Sequence, residues 1–478
     1  MACLLCRAGY IILRFWAKHV NIIENTWGAR FVDFRIPAYI LNLMDKLEHA
    51  GFQAWAVGGC VRDRLCGLEP HDWDLCTDAL PWQTAEVFSD HGLVRSGEKH
   101  GTIAVIVDHK TVEITTFRRE GGYDDARHPG WVEFVPDIAR DLARRDFTVN
   151  AMAYCPRRGL ADPWGGQADL KARVLRAVGD PACRFLEDGL RILRGIRFAA
   201  RFGLKPEEKT LEAMVDLAHT LTLQARERVY TELCGFLTAA DLPDLLTFRP
   251  VLFAAIPALA PMDGFLQRNP HHRYDVYTHT AHVVAAVPPR LQLRWAALLH
   301  DIAKPETFTL DPQGVGHFYN HAHLGREKAG EILLSLRAPT ALRQQVETLI
   351  AYHGACRDLC RNTTDKSLRR LLLRLGEDTL RDLLALDRAD DGGKGTPASP
   401  EVFDRFEARL NEVLAQAPCR CVRDLAIDGR DLMAQGIPQG PAIGRILTRL
   451  LEEVTDGTLE NETAALQSRA AVLGADQP

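Results

Sequence analysis

Trp55-Ala56-Val57-Gly58-Gly59-Cys60-Val61-Arg62-Asp63, continued by Asp72-Trp73-Asp74, is the stretch from which the rest of the chain can be read. A short apolar strand stops at two glycines. Glycines between a strand and a helix let backbone N–H groups approach a phosphate closely. Asp72 to Cys76 reads as the next strand, on which Asp72 and Asp74 stand two apart and share a face. Two crowded carboxylates repel unless a cation lies between them. Mg²⁺ suits them, because it is hard, prefers oxygen and shares its coordination with substrate phosphates. Glu113, between Val112 and Ile114 on a further strand, can complete a three-carboxylate set. Such a set suits a pair of metal ions, one activating an attacking hydroxyl and one steadying a leaving pyrophosphate. A lone Asp-x-Asp is often a solvated turn; the preceding Gly-Gly turn and the third carboxylate argue for chemistry.

Working outward, an amphipathic helix opens near Pro37, with Ile40, Leu41, Leu43, Met44 and Leu47 on one side. Thr102 to Val107 and Thr111 to Phe117 flank Asp108-His109-Lys110 as a hairpin, and Trp131 to Val135 reads as a fourth strand. Residues 37–150 are therefore expected to be α+β with a mostly antiparallel sheet. Beyond about 155 the strand signals fade. Helical patterns run from 184 to about 385, break over the Gly-rich stretch at 389–400, and resume in a tail interrupted by Gly436-Ile437-Pro438-Gln439-Gly440-Pro441.

The 478 residues are 46% hydrophobic and 25% charged, as in an ordinary folded protein of several units. The net charge of −5 excludes a globally basic polyanion binder, so any nucleic-acid surface must be local. The 12 cysteines are scattered, with Cys3 and Cys6 forming a single C-x-x-C, which reads as reduced thiols in a cytoplasmic protein. No run has the length of a membrane span. Arg7, Arg14, Lys18 and His19 interrupt residues 1–20, so no signal peptide is expected. The first thirty residues fit nothing downstream and read as an extension or a misplaced start codon.

Gly58-Gly59 through Asp72-Trp73-Asp74 resembles the signature of nucleotidyltransferases related to polymerase beta. Arg144-Arg145-Asp146-Phe147-Thr148-Val149-Asn150-Ala151-Met152, then Glu187-Asp188-Gly189-Leu190-Arg191, then Arg197-Phe198-Ala199, follow in order. These runs narrow the resemblance to class II tRNA nucleotidyltransferases and bacterial poly(A) polymerases. The resemblance implies a polymerase-beta-like palm followed by all-α neck, HD and tail regions. It also implies nucleotide binding at positions matching Gly59, Arg62, Arg145, Asp188, Arg191, Arg194 and Arg197, with Asp146 linked to the ribose.

Glu187, Asp188 and Arg191 read as one helix, with Asp188 and Arg191 on one face. A fixed carboxylate accepts from an exocyclic amine, and a guanidinium donates to a ring acceptor. Cytosine and adenine offer that pair; uracil and guanine would leave polar groups unmatched. Asp188 and Arg191 are thus expected to serve as a protein template, against the plainer reading of an exposed salt bridge. Arg184, Arg191, Arg194, Arg197 and Arg201 make the same segment densely basic and suited to a triphosphate. Thr116-Phe117-Arg118-Arg119-Glu120-Gly121 through His128-Pro129 resembles the family's flexible loop, linked to the switch from C to A, which favours full CCA addition. Poly(A) polymerases of this class carry Gly-Arg-Arg-Phe where this chain has Gly97-Glu98-Lys99-His100-Gly101-Thr102.

His300-Asp301, inside Leu298-Leu299-His300-Asp301-Ile302-Ala303-Lys304-Pro305, resembles the HD phosphohydrolases, whose ligands run H…HD…D. With His279, His321, His353 and Asp390, or Asp387 in its place, these residues suit a second divalent transition metal.

The expected organisation is an extension at 1–30, a catalytic domain at 31–155, a helical nucleotide-selecting and RNA-binding neck at 156–262, an HD domain at 263–395 and a tRNA-binding tail at 396–478. The expected activity is CCA addition to the tRNA 3′ end from CTP and ATP with Mg²⁺, in the cytoplasm, with no membrane and no stable protein partner. The rivals are a poly(A) polymerase and a non-catalytic RNA-binding protein.

Overall fold

The computed structural model describes residues 34–122, 130–239, 245–362, 364–396, 398–416, 419 and 421–475. The expected extension at 1–30 and the tip of the expected flexible loop, including His128 and Pro129, lie outside the described residues. The chain divides into two compact units between Phe236 and Leu237.

The first unit opens with the helix Ala38–His49, which buries Ile40, Leu43, Met44 and Leu47 as its spacing predicts. The head is built on β1 (Ala54–Val57), β2 (Leu75–Thr77), β3 (Gly92–Val94), β4 (Thr102–Val107), β5 (Lys110–Thr116), β6 (Arg118–Gly121), β7 (Trp131–Phe134), β8 (Ala153–Cys155) and β9 (Gly159–Ala161). Seven of these form one sheet in the order β3-β4-β5-β2-β1-β8-β9, while β6 and β7 pair as a separate hairpin. Within this sheet β2 and β5 run parallel and the other described pairings are antiparallel. The β4–β5 hairpin closes at Val107–Lys110 around Asp108 and His109, both at positive φ (49° and 60°), as a two-residue turn of this twist requires.

The sheet is larger than the sequence predicts. β3, β8 and β9 are only three residues each, too short for a periodic signal. The regular part of β2 starts at Leu75 rather than Asp72. The ladder nevertheless reaches back, because the Val57 N–H donates to the Asp74 carbonyl at 3.0 Å.

After the head come the helices Pro181–Glu187, Leu190–Phe202, Glu208–Asp216 and Arg226–Leu237. The continuous helix expected over Glu187–Arg191 is broken. Asp188 is extended (φ −148°, ψ 104°), and its carboxylate accepts the Leu190 N–H at 3.0 Å. An Asp bonding to nearby backbone competes with helix in this way.

The second unit is mainly helical, with one hairpin (Phe308–Leu310 with Gly316–Phe318) that the all-α expectation lacked. The helices Val276–Ala286, Leu291–Leu299, His321–Ser335, Thr340–Tyr352 and Glu377–Gly393 supply its core. Glu377–Gly393 runs into the Gly-rich stretch before it ends, so the break expected over 389–400 begins only after Gly393 and closes where Pro400–Gln416 opens. Gly393 fits because a Cβ there would lie 2.9 Å from Val283 Cγ2 and 3.3 Å from His279 Nδ1. The tail helices Gly429–Ala434, Pro441–Thr455 and Thr463–Ala475 bury Leu432, Ile446, Leu450, Leu466 and Ala470 together. Among the described residues no helix is long and apolar enough to cross a membrane.

Candidate active sites

The parallel register pairs Leu75 with Ile114, which sets Asp74 beside Glu113. Trp73, Leu75, Val112 and Ile114 point into the core, while Asp72, Asp74 and Glu113 are exposed on the opposite face. The alternation expected of Asp72 and Asp74 therefore holds ahead of the strand proper. Although Asp74 keeps a surface open to water, the protein packed around it, and then the Glu113 charge, push its carboxyl up to about 6. Asp72 also raises it, and Arg145 opposes the rise. Asp72 itself lies 2.9 Å from His71 Nδ1.

Arg145 reaches this face over Gly58. That glycine has φ 78°, which favours glycine, and a Cβ there would sit 2.8 Å from the Arg145 guanidinium and displace it. Gly59 opens the short helix Gly59–Leu65. Asp141, fully buried, holds Arg145 from behind at 3.4 Å. The same carboxylate accepts from Arg144 at 2.9 Å and from the Arg118 N–H at the foot of the β6–β7 hairpin at 3.3 Å. Glu120 in that hairpin joins Arg118 (3.0 Å) to Arg144 (3.4 Å). Asp141 and Glu120 were not singled out in the sequence. Asp141 stands four before Arg145, but the helix Ile138–Leu142 ends between them, so their pairing depends on the turn that follows.

The arginines Arg62, Arg194 and Arg197 each have an acidic partner. Arg62 is buried: it donates to Asp63 at 2.8 Å and to Asn150, and packs 4.3 Å from the Phe202 ring centre. Arg194 pairs with Asp146 at 2.8 Å and Arg197 with Glu232 at 2.7 Å. Burial alone would raise the Asp146 carboxyl; Arg194, the Asn150 amide and Arg191 outweigh it and hold it at about 2.

Asp188 and Arg191 do not pair with each other. Asp188 pairs with Arg228 at 3.1 Å, while Arg191 pairs with Glu187 at 2.6 Å and donates to the Arg144 carbonyl at 3.2 Å. The helix break separates them. Among the described residues each Asp188 oxygen has one hydrogen-bond donor and retains a lone pair for another. Arg228 and Glu232, four apart on Arg226–Leu237, are the partners that sequence reasoning missed.

In the second unit, His279, His300, Asp301, His321, His353 and Asp390 converge, although their spacing is irregular. His279 Nε2 lies 3.0 Å from Asp390 and 3.5 Å from Asp301, and His300 Nε2 lies 3.2 Å from Asp301. His321 and His353 face each other, Nε2 to Nε2, at 3.0 Å. Nδ1 of His300, His321 and His353 contacts the carbonyls of Ala297, Phe318 and Ile350 at 2.9, 2.7 and 2.6 Å. A carbonyl only accepts, so each Nδ1 carries the proton. In the neutral rings Nε2 is then a bare lone pair. Two such lone pairs at 3.0 Å repel unless a cation or a proton lies between them. Burial, and then the neighbouring His300, lower the His353 pKa to about 4, which favours its neutral, ligating form. Asp387, the competitor of Asp390, is used elsewhere: it accepts the N–H groups of Gly354 and Cys356 at 2.7 and 3.0 Å. The Asp301 carboxyl is held well below the usual range: burial opposes this, but His300 and Lys304 prevail. Imidazole nitrogens and carboxylates in such groups fit a divalent transition metal.

Residues 54–176 match the family model described as the poly A polymerase head domain, and residues 315–470 the one for tRNA nucleotidyltransferase domain 2. The crystal structure of the Bacillus stearothermophilus CCA-adding enzyme in complex with CTP superimposes with a TM-score of 0.62 at 25% identity, covering 90% of this chain and 96% of that one. The CCA-adding enzyme of Levilactobacillus brevis is 33% identical over 89% of this chain and 95% of its own length. That of Lactobacillus delbrueckii subsp. bulgaricus is 31% identical over 90% of this chain and 97% of its own length. With a palm of this topology, an ordered carboxylate face and end-to-end kinship at this level, the chain belongs to the CCA-adding enzyme family.

Proposed function

We infer that this protein adds C, C and A to the 3′ end of tRNA from CTP and ATP without a nucleic-acid template, releasing pyrophosphate. The observation that carries the inference is the exposed face of Asp72, Asp74 and Glu113 beside Gly58 and Arg145, in a chain kin to CCA-adding enzymes over nine-tenths of its length. This kinship favours CCA addition over poly(A) synthesis, and the intact carboxylates count against a non-catalytic RNA binder.

Enzymes of this family use divalent metal ions. Asp72 and Asp74 are the residues to hold Mg²⁺, whose charge neutralises the reacting phosphate and lowers the pKa of the attacking hydroxyl when bound. Glu113 joins them as third carboxylate and takes the proton from the tRNA 3′-hydroxyl. The 3′ oxygen bonds to the α-phosphorus as the α–β bridging bond breaks and pyrophosphate departs. Gly59, Arg145, Arg194 and Arg197 surround the triphosphate. Arg62 acts from within the core, through its partners, and Asp146 orients Arg194 and meets the ribose. Asp188 accepts from the exocyclic amine of cytosine or adenine and Arg191 donates to the ring acceptor. They act as two separately anchored groups, Asp188 on Arg228 and Arg191 on Glu187.

The domain roles follow: catalysis at 31–155, nucleotide selection and RNA contact at 156–262, an HD domain at 263–395 with a second divalent metal on its histidine cluster, and tRNA binding at 396–478. The location is the cytoplasm. The test is to incubate the protein with tRNA lacking its CCA end and each labelled nucleotide, then sequence the products. Wild type is expected to add CCA. Asp72→Ala and Asp74→Ala are expected to keep fold and tRNA binding but lose nearly all turnover; more than a tenth of wild-type turnover in either variant would remove them from the metal site.

A further inference from the structure

His272 was not among the histidines that the sequence brought forward, yet its ring lies against the cluster. It meets His279 edge to face, with ring centres 5.5 Å apart. One ligand atom each from His272, His279 and Asp390 lies within 4.8 Å of the other two. His272 Nε2 is buried and has no hydrogen-bond partner among the described residues.

Its tautomer follows from two hydrogen bonds. Asn269 Oδ1 accepts the backbone N–H of His271 at 3.1 Å, which fixes that amide atom as the oxygen. The same oxygen lies 2.8 Å from His272 Nδ1. Only a protonated Nδ1 can bond to it, so Nε2 carries the lone pair. An Nδ1–H bonded to an oxygen with a bare Nε2 aimed inward is the arrangement of His300, His321 and His353, and of metal-ligating histidines generally.

Local charge makes a neutral donor useful here. Lys304 stands 2.7 Å from Asp301 and Lys394 stands 3.4 Å from Asp390, so two ammonium groups already offset the two carboxylates. Attraction for a divalent ion then depends more on imidazole nitrogens than on net negative charge.

We propose that His272 is a further metal ligand of the second unit, binding a divalent transition ion through Nε2 together with His279 and Asp390, with Asn269 fixing its tautomer. This rests on reading the histidine cluster as a metal centre.

The experiment uses the full-length protein stripped of metal and titrated with Co²⁺, following heat and the visible absorption of the bound ion. Wild type is expected to bind. His272→Ala is expected to bind about ten- to a hundredfold more weakly, with an altered visible band, as removal of a ligand or its support usually causes. Asn269→Ala keeps the ring but frees its tautomer, and is expected to give a smaller loss with the wild-type band. No Co²⁺ binding by wild type would overturn the metal-centre reading itself, and this proposal with it. Wild-type affinity and spectrum in His272→Ala would overturn the proposal alone. Failure of both variants to fold would assign His272 to packing and likewise overturn it.

Discussion

Asp146 has almost no access to water and still carries its charge, because Arg194, Asn150 and the N–H of Phe147 converge on it. Its folded pKa of about 2 lies below the ordinary 3.8. The charged form is therefore favoured by folding, and the stability it contributes is present above the unfolded pKa and lost as pH falls through the folded one. The window runs from about pH 4 down to about pH 2, and the contribution is about 2 kcal/mol. Asp146→Asn should therefore be less stable than wild type by about that amount at pH 7, with the gap closing across this window. Denaturant melts of both proteins from pH 7 to pH 2 check it; a gap independent of pH would show that Asp146 acts through shape alone. At this scale much was legible. A two-residue period places Asp72 and Asp74 on one surface, whereas Asp387 and Asp390, three apart on one helix face, are told apart only by the Gly354 and Cys356 N–H groups that occupy Asp387. The lone pairs at His272, His321 and His353 were not legible, because they depend on backbone carbonyls and an amide oxygen that only the folded chain brings into place.

At the scale of elements, the break at Asp188-Gly189 sets which partners the two side chains proposed to read a base keep. In an unbroken helix Asp188 and Arg191 would satisfy each other. The break sends Asp188 to Arg228 and leaves Arg191 to Glu187 and the Arg144 carbonyl. Gly189 is suited to it, since a Cβ would fall 2.6 Å from Thr220 Oγ1. The helical pattern on either side hides the break, whose local cause is the Asp188 carboxylate taking the Leu190 N–H. Asp188→Ala should lose discrimination against UTP by roughly 1.5–3 kcal/mol, about ten- to a hundredfold. Arg228→Ala keeps the carboxylate but removes its anchor, and should lose a smaller part of the same selectivity. The ratio of kcat/KM for CTP over UTP, on one tRNA lacking its end, measures both. An unchanged ratio in Asp188→Ala would return this segment to triphosphate binding only.

The whole molecule is two compact units, and their separate readability follows from their construction. The head is a sheet whose longer strands alternate cleanly; its three-residue strands, like those of the hairpin in the second unit, carry too few residues to signal themselves. The second unit is helical, so its elements were visible while their convergence on the histidine cluster was not. In the tail, Arg445 and Arg449 stand on the helix that follows the Gly436–Pro441 turn, where its first N–H groups can meet an RNA phosphate. Replacing both arginines with alanine should raise KM for tRNA with little change for CTP. It should also lower the salt slope of tRNA binding by about one for each phosphate that is no longer neutralised. Equal tRNA affinity at several salt concentrations would place the RNA elsewhere. The Asp141 carboxylate, which grips Arg145 on one side and the foot of the β6–β7 hairpin on the other, carries a thermodynamic obligation. Any ligand that repositions the hairpin also perturbs Arg145, and linkage is reciprocal. If an acceptor end settling on the hairpin sharpens the hold on a nucleotide by some factor, the nucleotide must tighten the hold on that end by the same factor, so the two substrates recruit one another through a single buried acid.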